Sequence, residues 1–311
     1  MGRPLRFVRR GEIVEVTTRT IQGRLLTRPS KDLNEIFLGI VGRALVLYPD
    51  IKIFCIVVLS NHYHMLLKTP DGKLLREFMN FVNGNLGKKV GRLHSWREKF
   101  WGSRYRCIPV VDDEAVLKRF RYILAQGCKE GLVASPKHWP GVTCVPALVD
   151  EVRLSGWWFD HSAEYRARRR GETFGKYEYA TEYAVPISPL PQWARLPSSK
   201  RRQLCADLVR EIENETRRFN KAAGRKPLGV RRVCRAHPHG MPKNVKRSKA
   251  PLCHASARRV REAYKKIYGR FVEAFRFAAD DLAEADNTAF PLYSFPPPLQ
   301  FVSGLRRGMS P

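Results

Sequence analysis

The sequence predicts an α+β fold: a ferredoxin-like split βαβ sheet, antiparallel, with helices on one face, followed by a mainly helical basic half. Three observations lead there. Between residues 12 and 126 the apolar pattern switches between period 2 and period 3.6 in the order β-α-β-β-α-β, with one more helix after it. The two middle strands follow each other almost directly, and each strand–helix–strand half can cross over into one sheet. Beyond residue 197 long helical periodicities return, with a large excess of Lys and Arg.

Taking the elements in order, residues 3–11 form a basic arm, with Arg3 and Arg6 as candidate nucleic-acid contacts. Glu12 to Thr20 is rich in β-branched residues and reads as the first strand. Leu33, Ile36, Phe37, Ile40, Val41 and Leu45 recur at helical spacing, and Pro49 ends that helix. Ile51–Val58 and Asn61–Lys68 are the middle strands, and a Pro70-Asp71-Gly72 turn follows. Leu74 to about His94 is helical, with Gly84, Gly87 and Gly91 inviting a kink. Phe100 to Val111 reads as the last strand, and Asp112-Asp113 as the N-cap of a helix over Glu114–Gln126.

The chemistry concentrates in Asn61-His62-Tyr63-His64. In a strand, residues i and i+2 share a face, so His62 and His64 stand together and Tyr63 and Met65 point the other way. Tyr63 and Met65 suit the face under the helices, which places both histidines on an open face. Two neighbouring imidazoles can hold one divalent cation. An isolated His-x-His pair is more often simply hydrogen-bonded. In the helix over 114–126, Tyr122 falls about 150° from the centre of the apolar stripe at ~100° per residue. It sits there with Lys118 and Arg119, and Gln126 lies one turn further on, where it offers a third, oxygen ligand. A metal beside a tyrosine suits attack on a phosphodiester, giving a phosphotyrosine and a free hydroxyl. Tyr105, in the preceding strand, competes for the role of nucleophile, and with Arg104 it is a candidate nucleic-acid contact.

These residues carry a resemblance. Asn61-His62-Tyr63-His64-Met65-Leu66-Leu67, Phe100-Trp101-Gly102-Ser103-Arg104-Tyr105, Arg121-Tyr122-Ile123-Leu124-Ala125-Gln126 and Glu130-Gly131-Leu132-Val133 resemble the single-tyrosine HUH transposases, most of all the REP-associated tyrosine transposases of bacteria. The resemblance covers roughly residues 1–135. It implies His62, His64 and Gln126 as ligands of Mg²⁺ or Mn²⁺, and Tyr122 as the nucleophile. It also implies single-stranded or hairpin DNA as substrate, a 5′-phosphotyrosine intermediate, and a place in the bacterial cytoplasm with the nucleoid. Two departures stand out. Leu59-Ser60 replaces the usual Met-Pro, and Gln126-Gly127 replaces an Asn-Pro common among related proteins.

The bulk numbers agree with such a partner. A net charge of +28, from 57 Lys+Arg against 29 Asp+Glu, points to a polyanion. No segment approaches the ~20 apolar residues of a membrane span, and the basic start lacks the apolar core of a secretory signal. Seven scattered cysteines suit reduced thiols.

The chain divides into an HUH-type catalytic region (1–135), a Pro-, Gly- and Trp-rich connector (136–197) laid over the catalytic face or its edge, and a basic helical region with a Pro-rich tail (198–311). Ser198-Ser199 caps a long helix to about Ala223, with Leu204, Leu208 and Ile212 as its stripe, and a second long helix spans Ala255 to about Ala285. Residues 225–270 hold 15 Lys and Arg against the single acid Glu262. Arg231, Arg232, Lys243, Lys246, Arg247, Arg258, Arg259 and Arg261 are the candidate phosphate contacts. Cys234, His237, His239, Cys253 and His254 invite a zinc reading, although their spacing fits no common zinc motif. The expected assembly is a monomer or homodimer. Two rivals remain. One is a nucleic-acid-binding protein using the open sheet as a platform; the other is a different HUH nicking enzyme.

Overall fold

The computed structural model describes residues 4–242, 250–284 and 288–295. Its centre is a four-stranded antiparallel sheet of β1 (Ile13–Arg19), β2 (Lys52–Val58), β3 (His62–Lys68) and β4 (Arg106–Pro109), in the order β2-β3-β1-β4. This is the split βαβ topology that the element order predicts. Register follows from alternation: Val14 and Val16 are fully buried on one face, while Glu15 and Thr17 pair with Leu66 and His64 on the other.

Two helices cover the Val14 face. In α1 (Lys31–Leu47) the Ser30 side chain accepts from Leu33 N; in α2 (Gly72–Leu93) Asp71 accepts from Leu74 N. Phe37 of α1 meets the Tyr63 ring edge-on at 5.5 Å, and Tyr63 Oη donates to Asn83 of α2 at 2.7 Å. Tyr63 and Met65 thus lie under the helices, as expected. The three glycines do not break α2, because buried Leu75, Phe78, Met79, Val82, Leu86 and Val90 hold it to the sheet against their propensity.

The other face is not open, contrary to the sequence reading. It is overlaid by α3 (Asp113–Leu124), capped by Asp112, and the chain turns on through α4 (Gln126–Lys129). His62 and His64 are each only 8 % exposed as a result. The last strand is also shorter than expected, since Gly102-Ser103 leaves the ladder after Trp101 bridges to Thr20.

The connector holds regular structure that its composition hides. It contains α5 (Val145–Val149), β5 (Ser155–Phe159), α6 (His161–Arg169) and β6 (Ala180–Ala184). Thr143 bridges Val57, so this segment does follow the edge of the sheet at β2. The β5–β6 pair instead sits against α1 on the side away from Phe37: a Cβ on Gly39 would collide with the Trp157 backbone, and one on Gly156 with Glu35 O. It therefore lies behind the helices, not over the histidines. Trp158 stacks on Phe81 of α2 at 5.6 Å and is flanked by Arg43 and Lys89.

The basic half contributes α7 (Ser198–Ala222), α8 (Val230–Arg235) and α9 (Arg258–Glu284). Ser198-Ser199 does not cap α7; Pro197 is the cap residue and no side chain accepts there. Its buried stripe is Cys205, Val209 and Ile212. One buried cluster runs from Val8 to Val233, while a second one, Phe7, Cys253, Tyr264 and Phe271, pins α9 to the N-terminal arm. All seven cysteines are free, and no helix among the described residues is long and apolar enough to cross a membrane.

Candidate active site

Four elements bring polar side chains to one point on the covered face of the sheet. Strand β3 supplies His62 and His64, whose ring centroids are 5.1 Å apart. Strand β1 supplies Glu15, 1 % exposed, because alternation turns it away from Val14 and Val16. Helix α3 supplies Arg119 and Tyr122. The chain before α9 supplies His254, held by two backbone hydrogen bonds along the β4 edge, to Pro109 O and from Val111 N.

The tautomers follow from the partners. Asn61 Nδ2 donates to Gly23 O at 3.0 Å, which turns Asn61 Oδ1 toward His62 Nδ1, 2.7 Å away. An amide oxygen only accepts, so Nδ1 of His62 carries the proton. His64 Nδ1 lies 2.8 Å from Glu15 Oε1 and donates to it in the same way. Both Nε2 atoms are therefore left with their lone pairs. This is the arrangement in which a second layer of acceptors orients histidines as ligands. The donor set fits a divalent cation at His62 and His64.

Glu15 is the electrostatic hub. It accepts from His254 Nε2 at 2.7 Å and His64 Nδ1 at 2.8 Å, and Arg119 Nη2 lies 2.8 Å from its carboxylate. Burial alone would raise its pKa, but the His254 and His64 hydrogen bonds and the Arg119 charge outweigh that and hold it well below the usual carboxylate range. Burial pushes His62 the other way for a base, well below 6.5, and His64 and Arg19 add to it; the ring is neutral at pH ~7.

Tyr122 meets this cluster from above. Its ring is 6.1 Å from that of His64, with the Arg119 guanidinium 3.8 Å and Lys129 Nζ 4.1 Å from its centroid. Gln126, 2 % exposed, donates its amide to Tyr122 O at 3.3 Å. The structure thus gathers His62, His64 and Tyr122, with Gln126 one turn behind.

Other candidates fall elsewhere. Tyr105 is 6 % exposed; its hydroxyl has no hydrogen-bond partner, and burial lifts its pKa to about 12. Arg6 stacks on that ring at 3.8 Å and donates to Tyr105 O. Tyr105 therefore presents no face to a base, which corrects its reading as a nucleic-acid contact. Arg104 is exposed and donates to Pro4 O. Arg231 and Arg232 on α8 and Arg258, Arg259 and Arg261 on α9 are exposed; Arg3, Lys243, Lys246 and Arg247 lie outside the described residues. The zinc candidates do not converge. His239 packs on Trp96 and His237, His254 is bound to Glu15, and among the described residues no three His, Cys, Asp or Glu side chains could hold a metal.

Sequence reasoning missed Glu15 and the place of His254. The signal for Glu15 was present: an acid at an inward position of a β-branched strand needs a partner. His254 carried no such signal, because its contact spans 239 residues of sequence.

The fold and site define a split-βαβ protein with a histidine pair and a tyrosine on one covered sheet face. No protein-family model and no curated protein matches the chain. Among solved structures it is similar to a REP-associated tyrosine transposase bound to a REP hairpin, at 17 % identity over 48 % of this chain and 86 % of that one, TM-score 0.38. It is also similar to a putative transposase from Deinococcus radiodurans, at 13 % identity over 40 % and 96 %, TM-score 0.28.

Proposed function

We propose that this chain is a transposase-like DNA strand transferase that works through Tyr122 and a divalent cation at His62 and His64. The observation that carries the reading is the pair of free Nε2 atoms, each set by an acceptor on Nδ1, beside a tyrosine flanked by two cations. Tyr122 Oη attacks phosphorus in a phosphodiester. The new O–P bond replaces the bond to the 3′ oxygen, which leaves and takes up a proton as the phenol loses one. The number of phosphoester bonds is unchanged, so attack by a free 3′ hydroxyl reverses the step without ATP. Arg119 and Lys129 balance the charge that develops on the phenol oxygen. Bound Mg²⁺ or Mn²⁺ would polarise the phosphorus and stabilise the leaving oxygen, with Gln126 the proposed third ligand. Two imidazole nitrogens favour Mn²⁺ over Mg²⁺ in such a site. The binding-platform rival loses its support, because the histidine face carries α3 instead of exposed aromatics.

The test uses single-stranded DNA carrying a hairpin. Wild-type protein with Mn²⁺ should form a covalent protein–DNA adduct that EDTA abolishes, at lower concentrations of Mn²⁺ than of Mg²⁺. Tyr122→Phe should bind the strand and form none. Peptide mapping of the adduct to any residue other than Tyr122 would reject the assignment.

A further inference from the structure

We propose that the cleft between α3 and α9 is a phosphate-binding subsite, taking the backbone of a single DNA strand where it leaves the histidine–tyrosine site. This rests on the DNA-strand chemistry above and says where the flanking phosphates go. The cleft has a volume of about 430 Å³, within the ~300–1,000 Å³ of typical ligand sites. Lys118 and Arg119 line it from α3, Arg261 and Lys265 from α9, and His254 from the chain between them. Among the described residues no carboxylate lines it. Arg261 and Lys265 are one helical turn apart, so they present two positive charges on one face toward the opposite pair.

The nearest acids stand outside the lining: buried Glu15 holds Arg119 and His254 from behind, at 2.8 and 2.7 Å. Glu114 pairs with Lys118 at 2.6 Å and Glu262 with Lys265 at 2.9 Å, and both pairs are largely exposed. Exposed ion pairs of this kind contribute little to stability, so a phosphate can take the place of either carboxylate. The other cleft of note, about 350 Å³ beside Arg9 and Arg10, also carries Glu12, Asp112 and Asp113, and that mixture does not select an anion.

What ties the basic cleft to the reacting centre is shared side chains. Arg119 lines the cleft, stacks on Tyr122 and binds Glu15; His254 lines it and binds the same carboxylate. A phosphate in the cleft therefore lies one side chain from the nucleophile. Solvated charge alone would not place two of the five basic lining groups on the hub of the site.

The experiment measures binding of a fluorescein-labelled oligothymidylate to the full chain by anisotropy across a salt series. Arg261→Gln/Lys265→Gln should make the log K against log salt slope shallower by about 1.4, at ~0.7 per lost contact on single strands. Lys118→Gln on the facing wall should remove about 0.7. The charge-matched control Arg217→Gln/Arg218→Gln on α7, away from the cleft, should leave the slope unchanged. No change in the cleft variants, or an equal change in the control, overturns the subsite. Adduct formation is read separately on the hairpin strand. An adduct with an unmoved slope sinks the subsite and keeps the chemistry; a moved slope without an adduct sinks the chemistry and keeps the subsite.

Discussion

Glu15 is the residue on which the site's electrostatics turn. Its carboxylate gives His64 a fixed tautomer and gives Arg119 and His254 a shared anchor. Glu15→Gln keeps the shape but removes the charge, and can no longer hold all three donors. We expect metal affinity to fall ~10–100-fold, the usual cost of losing such an outer partner, measured by Mn²⁺ titration of adduct formation. A second residue adds to the acid sensitivity of the fold. Burial lowers the His94 pKa from 6.5 to about 4, and Arg28 and His239 add to it. Between those values the unfolded chain binds a proton that the folded chain refuses, so stability falls as pH drops through that window. His62 is shifted in the same direction. His94 Nε2 has no hydrogen-bond partner, so His94→Gln costs no contact there. It should lose less of its melting temperature than wild type between ~pH 7 and ~pH 5; an equal loss would place the acid sensitivity elsewhere.

At the scale of elements, burial and backbone contact decide more than propensity. Helix α2 runs through three glycines because its apolar stripe is buried. The β5–β6 pair docks on α1 through two glycines whose backbones touch directly. Gly39→Ala should therefore force α1 and β5 apart and destabilise the protein by about 1–3 kcal/mol, the usual cost of overpacking, read as a lower urea midpoint. Since this contact lies behind the helices, adduct formation per folded molecule should be kept. Loss of chemistry in a fully folded Gly39→Ala protein would show that the hairpin communicates with the site. Helix α3 has a double role: Phe120 packs on Trp193 while Arg119 and Tyr122 face the histidines.

For the whole molecule, the basic half is built into the site. The second apolar cluster joins Phe7 to Cys253, Tyr264 and Phe271, and the chain between α8 and α9 brings His254 to Glu15. The segment 234–240 also leans on the loop before α1: Arg24 donates to His239 O, Arg28 to Cys234 O, and Leu25 N to Gly240 O. That loop carries the Gly23 carbonyl which orients Asn61. A chain truncated after residue 224 should then lose both DNA affinity and adduct formation, and expose Phe7. Point substitutions in the α3–α9 cleft should lower the salt slope while leaving the melting temperature in place. If the truncated chain still formed the adduct at wild-type rate, the chemistry would not depend on His254 holding Glu15.

The order of strands and helices, the faces of β3 and the cap of α3 were legible in the sequence, because period, alternation and capping are local and repeat over many residues. The nearness of His62, His64 and Tyr122 was legible as a consequence of that topology. What the sequence could not show is how closely the helix carrying Tyr122 packs down on that face. That the histidine face is covered, that Tyr105 is buried and Glu15 is the hub, and that the Trp-rich hairpin sits behind α1 all depend on contacts between residues far apart in the chain. Such contacts leave no periodic trace. They are chosen by which apolar surfaces the whole chain can bury together, and only the tertiary structure decides that.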